Sequence, residues 1–378
     1  MISIRTILNK IPSIDWGLLA AIVPIMLAGL FTMNSFSSSN IFFNRQVVWI
    51  IVSLVVFFFF STIDFKFLRK TGIVFGSYVG IVIVLMLLFL LATATKGAQG
   101  WFDLGAFSVQ PSEFAKLALI LLLAKYFSRR HMEIQNIRHI LVSGAYAGII
   151  FVLVALQPDF GSALIIFSIW FGMVLVSGIS KKHLLLVFTL VALVVGILWN
   201  FVFYEYQKQR IVTFIHPLED IRGAGYNAYQ STITVGSGQI LGKGLGYGTQ
   251  SRLKFLPEYQ TDFIFAAFAE EWGFVGVLLL ISLYAIVLWR ILTTAMNGAT
   301  NFEILFGVGI TIMFIAHLLV HIGMNVGVMP VTGITIPFMS YGGSHLLVTF
   351  MALGILMSMR RYSSSVHKDS MKNEFLGV

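Results

Sequence analysis

Long apolar runs separated by short polar stretches dominate this chain. A helix that crosses a membrane needs about 20 consecutive apolar residues. The pattern predicts ten such segments, near 16–33, 47–63, 72–95, 113–127, 139–156, 161–179, 184–203, 263–289, 304–327 and 345–359. The fourth is short, and its start carries Glu113 and Lys116. Membrane strands would instead read as ~10-residue segments of alternating polarity. The expected fold is an all-α polytopic membrane protein of about ten transmembrane helices, one integral membrane domain over residues 1–378. A large extracytoplasmic loop, residues 204–262, is expected between the seventh and eighth helices.

Composition sharpens this. The chain is 58% apolar and only 11% charged, whereas soluble domains average roughly 45–50% and about 25%. A soluble enzyme, a nucleic-acid binder and a disordered scaffold are thereby excluded. The absence of cysteine removes disulfides, thiolate metal sites and cysteine nucleophiles. The net charge of +9 follows from topology rather than from an acidic partner. With a cytoplasmic N-terminus, one side of the membrane receives 16 lysines and arginines and the other 9, six of them in the large loop. That asymmetry puts both termini inside. Arg5 and Lys10 before the first apolar run resemble a signal peptide, but no small-residue cleavage site closes the run, so an uncleaved first span is expected. No internal repeat supports an inverted-repeat transporter.

Outer-side polar residues gather in four places: Lys96–Lys116, Gln157–Ser162, the loop from Tyr204 to Asp262, and Met329–His345. Glu113 and Lys116 are three residues apart and share a helix face. Ionisable groups in hydrocarbon must face a cavity or the protein interior, so they either pair to tie the fourth span to its neighbours or line a substrate cavity. Asp262 stands directly before the eighth span. One reading is that Thr261 or Asp262 caps that helix. The other is a carboxylate at the water–membrane boundary, accessible yet partly desolvated, as a general base must be. Glu270 and Glu271 follow inside the span, so at least one should meet a cation or a cavity.

Other motifs carry less. The stretch Gly236–Gly248 lacks the Walker residues and any strand before it. It reads as a flexible, turning loop whose amides, with Lys243, can hold an anion weakly. His317 and His321 have the spacing of a helical metal pair, but Leu318 follows where a zinc protease has Glu, and packing is the better account. Met329–Ser344, with Pro330, Gly333, Pro337, Gly342 and Gly343, reads as a bent or re-entrant segment lining a cavity.

Five stretches together resemble the SEDS family, the shape, elongation, division and sporulation proteins. They are QPSEFAKLALILLLAKY (110–126), QPDFGSALI (157–165), GYNAYQSTITVGSGQILGKGLGYGTQ (225–250), FLPEYQTDFIFAAFAEEWGFVG (255–276) and GVMPVTGITIPFMSYGGS (327–344). Within the family, TDFIFAAFAEEWG and the short termini look more like the elongation member than the division member; the sporulation paralogue stays open. The resemblance implies ten spans and a glycosyltransferase that polymerises lipid II into β-1,4-linked glycan at the outer face of the bacterial cytoplasmic membrane. It implies the family's essential aspartate at Asp262 and its cavity pair at Glu113 and Lys116. Asp159, Gln250, Glu270 and Ser340, inside the shared motifs, are further substrate-binding candidates. Arg210, Lys243 and Lys116 are candidates for stabilising the leaving undecaprenyl diphosphate, a task Mg²⁺ or another divalent cation can share, although the sequence shows no cage for one. A class B penicillin-binding transpeptidase and the elongation machinery are the implied partners. Two other readings compete: a lipid II flippase, and a scaffold that recruits a transpeptidase without activity of its own.

Overall fold

The computed structural model describes residues 14–35, 41–91, 100–103, 105, 108–129, 137–201, 205–216, 225–253 and 255–376. Arg5, Lys10, the start of the first polar segment at Lys96, and Arg222 and Lys254 of the large loop lie outside these residues.

Each of the ten apolar segments falls on a helix. The first seven are α1 (Trp16–Ser35), α2 (Ile41–Thr62), α3 (Thr71–Leu91), α4 (Pro111–Ser128), α5 (Ile137–Leu156), α6 (Phe160–Val176) and α7 (Lys181–Phe201). The large loop contains α8 (Glu205–Ile215), α9 (Tyr226–Ser237) and α10 (Thr249–Arg252). The last three are α11 (Ile264–Met296), α12 (Asn301–Asn325) and α13 (Gly343–Leu376). Among the described residues, seven helices are long and apolar enough to cross a membrane: α1, α2, α3, α5, α11, α12 and α13. Of the others, α6 is apolar but only 17 residues long, and α4 carries Glu113, Lys116 and Lys125.

Two features depart from the expected plan. A small antiparallel hairpin, β1 (Phe102–Asp103) against β2 (Ser108–Val109), interrupts the all-α fold just before α4. The loop over 204–262 is also substantially helical, because α9 lays Gln230, Ser231 and Thr234 against α11 and α12.

Local chemistry sets the helix starts on the polar side. Gln110 is extended and Pro111 occupies the first turn of α4, where its missing N–H leaves no bond unmade. Asp159 caps α6, its Oδ1 accepting from the Ser162 amide at 3.0 Å.

The position of α4 explains its charges. It packs against α3, α5, α6, α12 and α13, and 15 of its 18 residues are buried. A helix enclosed on all sides belongs to the core, so its ionisable groups meet protein rather than lipid. In contrast, α2 and α3 turn Val55, Phe59, Ile83 and Leu90 outward, as lipid-facing helices do. At the end of the bundle away from Asp262, Asp15 accepts from Arg290 Nε at 3.0 Å and from Arg360 at 3.4 Å, joining α1, α11 and α13. Arg69 pairs with Glu303 at 2.7 Å nearby in the same layer, and Lys125 donates to the Arg69 carbonyl.

Candidate active site

The four polar segments, far apart in sequence, are stitched into one patch. Gln110 Nε2 donates to Asp159 Oδ2 at 2.9 Å, and Ser112 Oγ reaches the same oxygen at 3.4 Å. The Gln110 amide donates to Ser344 Oγ at 3.1 Å, and Ser344 donates to the Ser108 carbonyl at 3.2 Å. Ser340 Oγ donates to the Thr261 carbonyl at 2.8 Å, and the Tyr341 amide donates to the Gln260 carbonyl at 2.9 Å. Residues 326–342 between α12 and α13 thus form a bent strap beneath the start of α11, as the Pro and Gly pattern predicts. Within it, buried Phe338 adopts a left-handed φ of 67°. Packing against Phe314 and Phe350, with Tyr284 donating to the Pro337 carbonyl at 2.6 Å, holds that conformation.

Asp262 is half-buried at the meeting point of strap and helix. Its amide donates to the Glu258 carbonyl at 3.1 Å, its carbonyl accepts from Asn325 Nδ2 at 3.0 Å, and its carboxylate lies over Gly333. The capping reading is corrected here. The N-cap position of α11 is Phe263, which offers no side-chain oxygen, and Thr261 Oγ1 turns back to the Glu258 carbonyl at 3.3 Å.

Glu113 and Lys116 pair at 2.7 Å inside the bundle, with Lys116 fully buried. The pair is part of a larger cluster. His345 Nδ1 donates to Glu113 Oε2 at 2.9 Å, and Lys116 Nζ lies 3.3 Å from His317 Nε2. His317 Nδ1 and His321 Nδ1 lie 3.0 and 2.6 Å from the carbonyls of Thr335 and Ile334. A carbonyl only accepts, so both rings carry their proton on Nδ1, and His317 Nε2 accepts from Lys116. The two histidines therefore clip the strap to α12 and are not a metal pair. Among the described residues, no group of three or more acidic or histidine side chains is placed to hold a metal ion.

Glu270 is enclosed by donors: Lys243 Nζ at 2.8 Å, the amides of Gln250 and Ser251 at 2.9 and 3.1 Å, and Ser251 Oγ at 2.9 Å. It is the carboxylate that meets a cation, as expected for one of the two. The neighbouring Glu271 accepts from the Gly246 amide at 2.8 Å.

The Gly-rich segment has a definite task, which corrects the reading as a flexible loop. At Gly273, with φ 64° and ψ −168°, the α11 helix breaks. The amides of Lys243 and Gly244 donate to the carbonyls of Glu270 and Glu271 at 2.9 and 3.0 Å. In return the amides of Phe274 and Val275 donate to the carbonyls of Gln239 and Ile240 at 2.9 and 3.1 Å. The loop splints the broken helix, which in an apolar setting must have its freed backbone groups satisfied by protein. Its amides at Lys243, Gly244 and Gly246 are therefore engaged internally rather than open to an anion.

Of the expected site residues, Glu113 and Lys116 share the buried cluster, Asp159 caps α6, and Ser340 clamps the strap to Thr261. Gln250 and Lys243 gather on Glu270, with the Gln250 side chain also accepting from Gln230. Arg210 lies on α8, and its side chain is outside the described residues. Sequence reasoning missed Asn325 and the pairing of His345 with Glu113. The only local signal was a polar residue at the edge of an apolar run.

A family model described as cell cycle protein, FtsW/RodA/SpoVE, matches residues 10–365. The peptidoglycan glycosyltransferase MrdB of Escherichia coli K12 is 38% identical over 296 residues, 77% of this chain and 78% of MrdB. Stage V sporulation protein E of Bacillus subtilis is 36% identical over 333 residues, 87% of this chain and 89% of that protein. Among solved structures, a chain from a peptidoglycan synthase complex that coordinates polymerization and crosslinking superposes with a TM-score of 0.79 at 30% identity, covering 93% of this chain and 98% of its own. The rod shape determining protein RodA of Thermus thermophilus superposes with a TM-score of 0.69 at 29% identity, covering 93% and 98%. This chain is a multi-pass membrane protein, and it belongs to the FtsW/RodA/SpoVE family.

Proposed function

We propose that this protein is a peptidoglycan glycosyltransferase of the elongation type, polymerising lipid II at the outer face of the cytoplasmic membrane with Asp262 as general base. The observation that carries this reading is the placement of Asp262. Its carboxylate sits half-buried where the polar segments converge, and the helix that follows is not capped by it. Such partial desolvation beside water suits a carboxylate that must take and release a proton.

In the proposed step, the 4-hydroxyl of the acceptor GlcNAc attacks C1 of the donor MurNAc. The O4–C1 bond forms as the bond from C1 to the diphosphate oxygen breaks, and the hydroxyl proton passes to Asp262. Undecaprenyl diphosphate leaves with the bonding pair, and Asp262 returns its proton to water. The α-linked donor gives a β product by one inversion, so no covalent intermediate is needed. The departing charge calls for cations. Arg210 in the large loop is the leading candidate for that charge, with Lys243 and Lys116, which are matched within the protein by Glu270 and Glu113, after it. Both termini face the cytoplasm in this reading, and a class B penicillin-binding transpeptidase crosslinks the strands.

Polymerisation of labelled lipid II by the purified chain, alone and with such a transpeptidase, tests the proposal. Moenomycin is included to silence polymerases of the other family. Glycan strands from wild type and none from an equally folded Asp262→Asn variant are expected. Strands from both would move the base elsewhere, with Glu113 next to examine. Strands from neither, even with the partner, would favour a flippase or a scaffold.

A further inference from the structure

Asn325 is fully buried at the C-terminal end of α12, and its side-chain oxygen and both of its N–H donors are engaged. Oδ1 accepts from the Ala266 amide at 3.1 Å and lies 3.4 Å from Ser231 Oγ, which donates its proton to the Asn325 backbone carbonyl at 2.9 Å. Nδ2 donates to the Asp262 carbonyl at 3.0 Å and to the His321 carbonyl at 2.8 Å. Both donors of the carboxamide and one of its two lone pairs are thus used. The partners also fix its orientation, since an amide N–H only donates and a carbonyl only accepts.

Two of these contacts join Asp262 itself and the first turn of the helix that follows it. The first turn of a helix leaves four N–H groups without partners inside the helix, and a Ser, Thr, Asp or Asn at the N-cap ordinarily takes one of them. With Ile264 as the first residue of α11, Ala266 is the third, whose N–H such a cap binds. Here the N-cap is Phe263, and the oxygen comes from Asn325, 59 residues further along the chain. The same amide holds the Asp262 carbonyl from its other end. The backbone from the Asp262 carbonyl to the Ala266 amide is therefore held at both ends by one buried group on a neighbouring helix.

We propose that Asn325 is a positioning residue for glycan polymerisation, capping α11 from α12 and clamping the Asp262 backbone so that its carboxylate is held toward substrate rather than folded back onto the helix start. This rests on Asp262 acting as the base. Without Asn325, Asp262, directly before the Phe263 N-cap, carries a carboxylate of the kind that caps helices. Loss of Asn325 should then leave the helix start bonded while withdrawing the carboxylate from the acceptor hydroxyl.

The test uses the full chain with its transpeptidase partner, measuring labelled lipid II polymerisation and thermal melting in detergent for Asn325→Ala, Asn325→Asp and Asp262→Asn. A displacement of about 1 Å at reacting groups can lower a rate about 100-fold. Asn325→Ala should lower kcat by about tenfold to 100-fold, with KM for lipid II unchanged within about twofold. Asn325→Asp keeps an acceptor for Ala266 but loses both donors, and should lower kcat with the same unchanged KM. Wild-type kcat per folded molecule in either variant would overturn the proposal and leave Asn325 a cap alone. Failure of both variants to yield folded protein would overturn it equally, since the residue would then serve the fold. If Asp262→Asn turns over like wild type, the base assignment falls and the positioning role with it. If Asp262→Asn is inactive while Asn325→Ala is fully active, the positioning role falls alone.

Discussion

Gly242 and Gly273 meet backbone to backbone: a Cβ on Gly273 would lie 2.2 Å from the Gly242 amide nitrogen, and one on Gly242 would lie 2.1 Å from the Glu271 carbonyl oxygen. This contact seats the Gly-rich splint in the break of α11. The Gly273 conformation falls in a region essentially restricted to glycine, where another residue is strained by about 1–3 kcal/mol. Gly273→Ala is therefore expected to lower the melting temperature in detergent and to lower polymerisation with it. A melting curve identical to wild type would mean that the break closes into continuous helix without consequence.

Glu270 should matter more to stability than its cation does. Its side chain is fully enclosed and accepts from several donors, while the Lys243 side chain is 27% exposed. Removing one member of a buried pair typically destabilises by about 3–5 kcal/mol. Glu270→Ala is expected near that range, because it leaves the Gln250 and Ser251 amides without their acceptor. Lys243→Ala should have a smaller effect, since Glu270 keeps its backbone and hydroxyl donors and the Lys243 side chain is already partly in water. Equal losses from the two substitutions, read as melting temperatures, would contradict this ordering.

The Glu113–Lys116 pair separates a structural role from a substrate role. Lys116→Met leaves the Glu113 carboxylate buried with His345 alone, and a loss of about 3–5 kcal/mol is expected. The double variant Glu113→Gln with Lys116→Met should recover part of that loss, as removing both charges often does. Unchanged melting together with lost lipid II binding would instead assign the pair to a substrate cavity.

The absence of cysteine makes orientation directly testable. Tyr247 on the splint is exposed, as is Lys182 at the start of α7. In intact cells, a membrane-impermeant maleimide should label Tyr247→Cys and spare Lys182→Cys until the membrane is opened. The reverse pattern would invert the topology and remove the outer-face site.

Asp15 provides a contrast far from the proposed chemistry. It joins Arg290, Arg360 and the start of α1 through the Leu18 amide at 3.0 Å. Asp15→Ala should lower the melting temperature while leaving kcat per folded molecule unchanged. A selective fall in kcat would show coupling between the two ends of the bundle.

The sequence by itself determined the helices and the polar segments that come together at one end of them. Hydrocarbon offers no partner to backbone N–H and C=O groups, so each long apolar segment has to satisfy its own by forming a helix. That requirement is written in consecutive residues, and all ten segments obey it. The same local logic made Asp262 conspicuous, a carboxylate immediately before such a segment, but left open whether it caps the helix. Only the tertiary structure decided that, by bringing Asn325 to Ala266 across 59 residues of chain. It likewise turned GSGQILGKGLGYG from a presumed loose loop into the splint of α11, and His317 and His321 from a packing pair into clips on the strap. Each of these depends on which distant donor reaches which acceptor once the helices have packed. Hydropathy along the chain holds no record of those pairings.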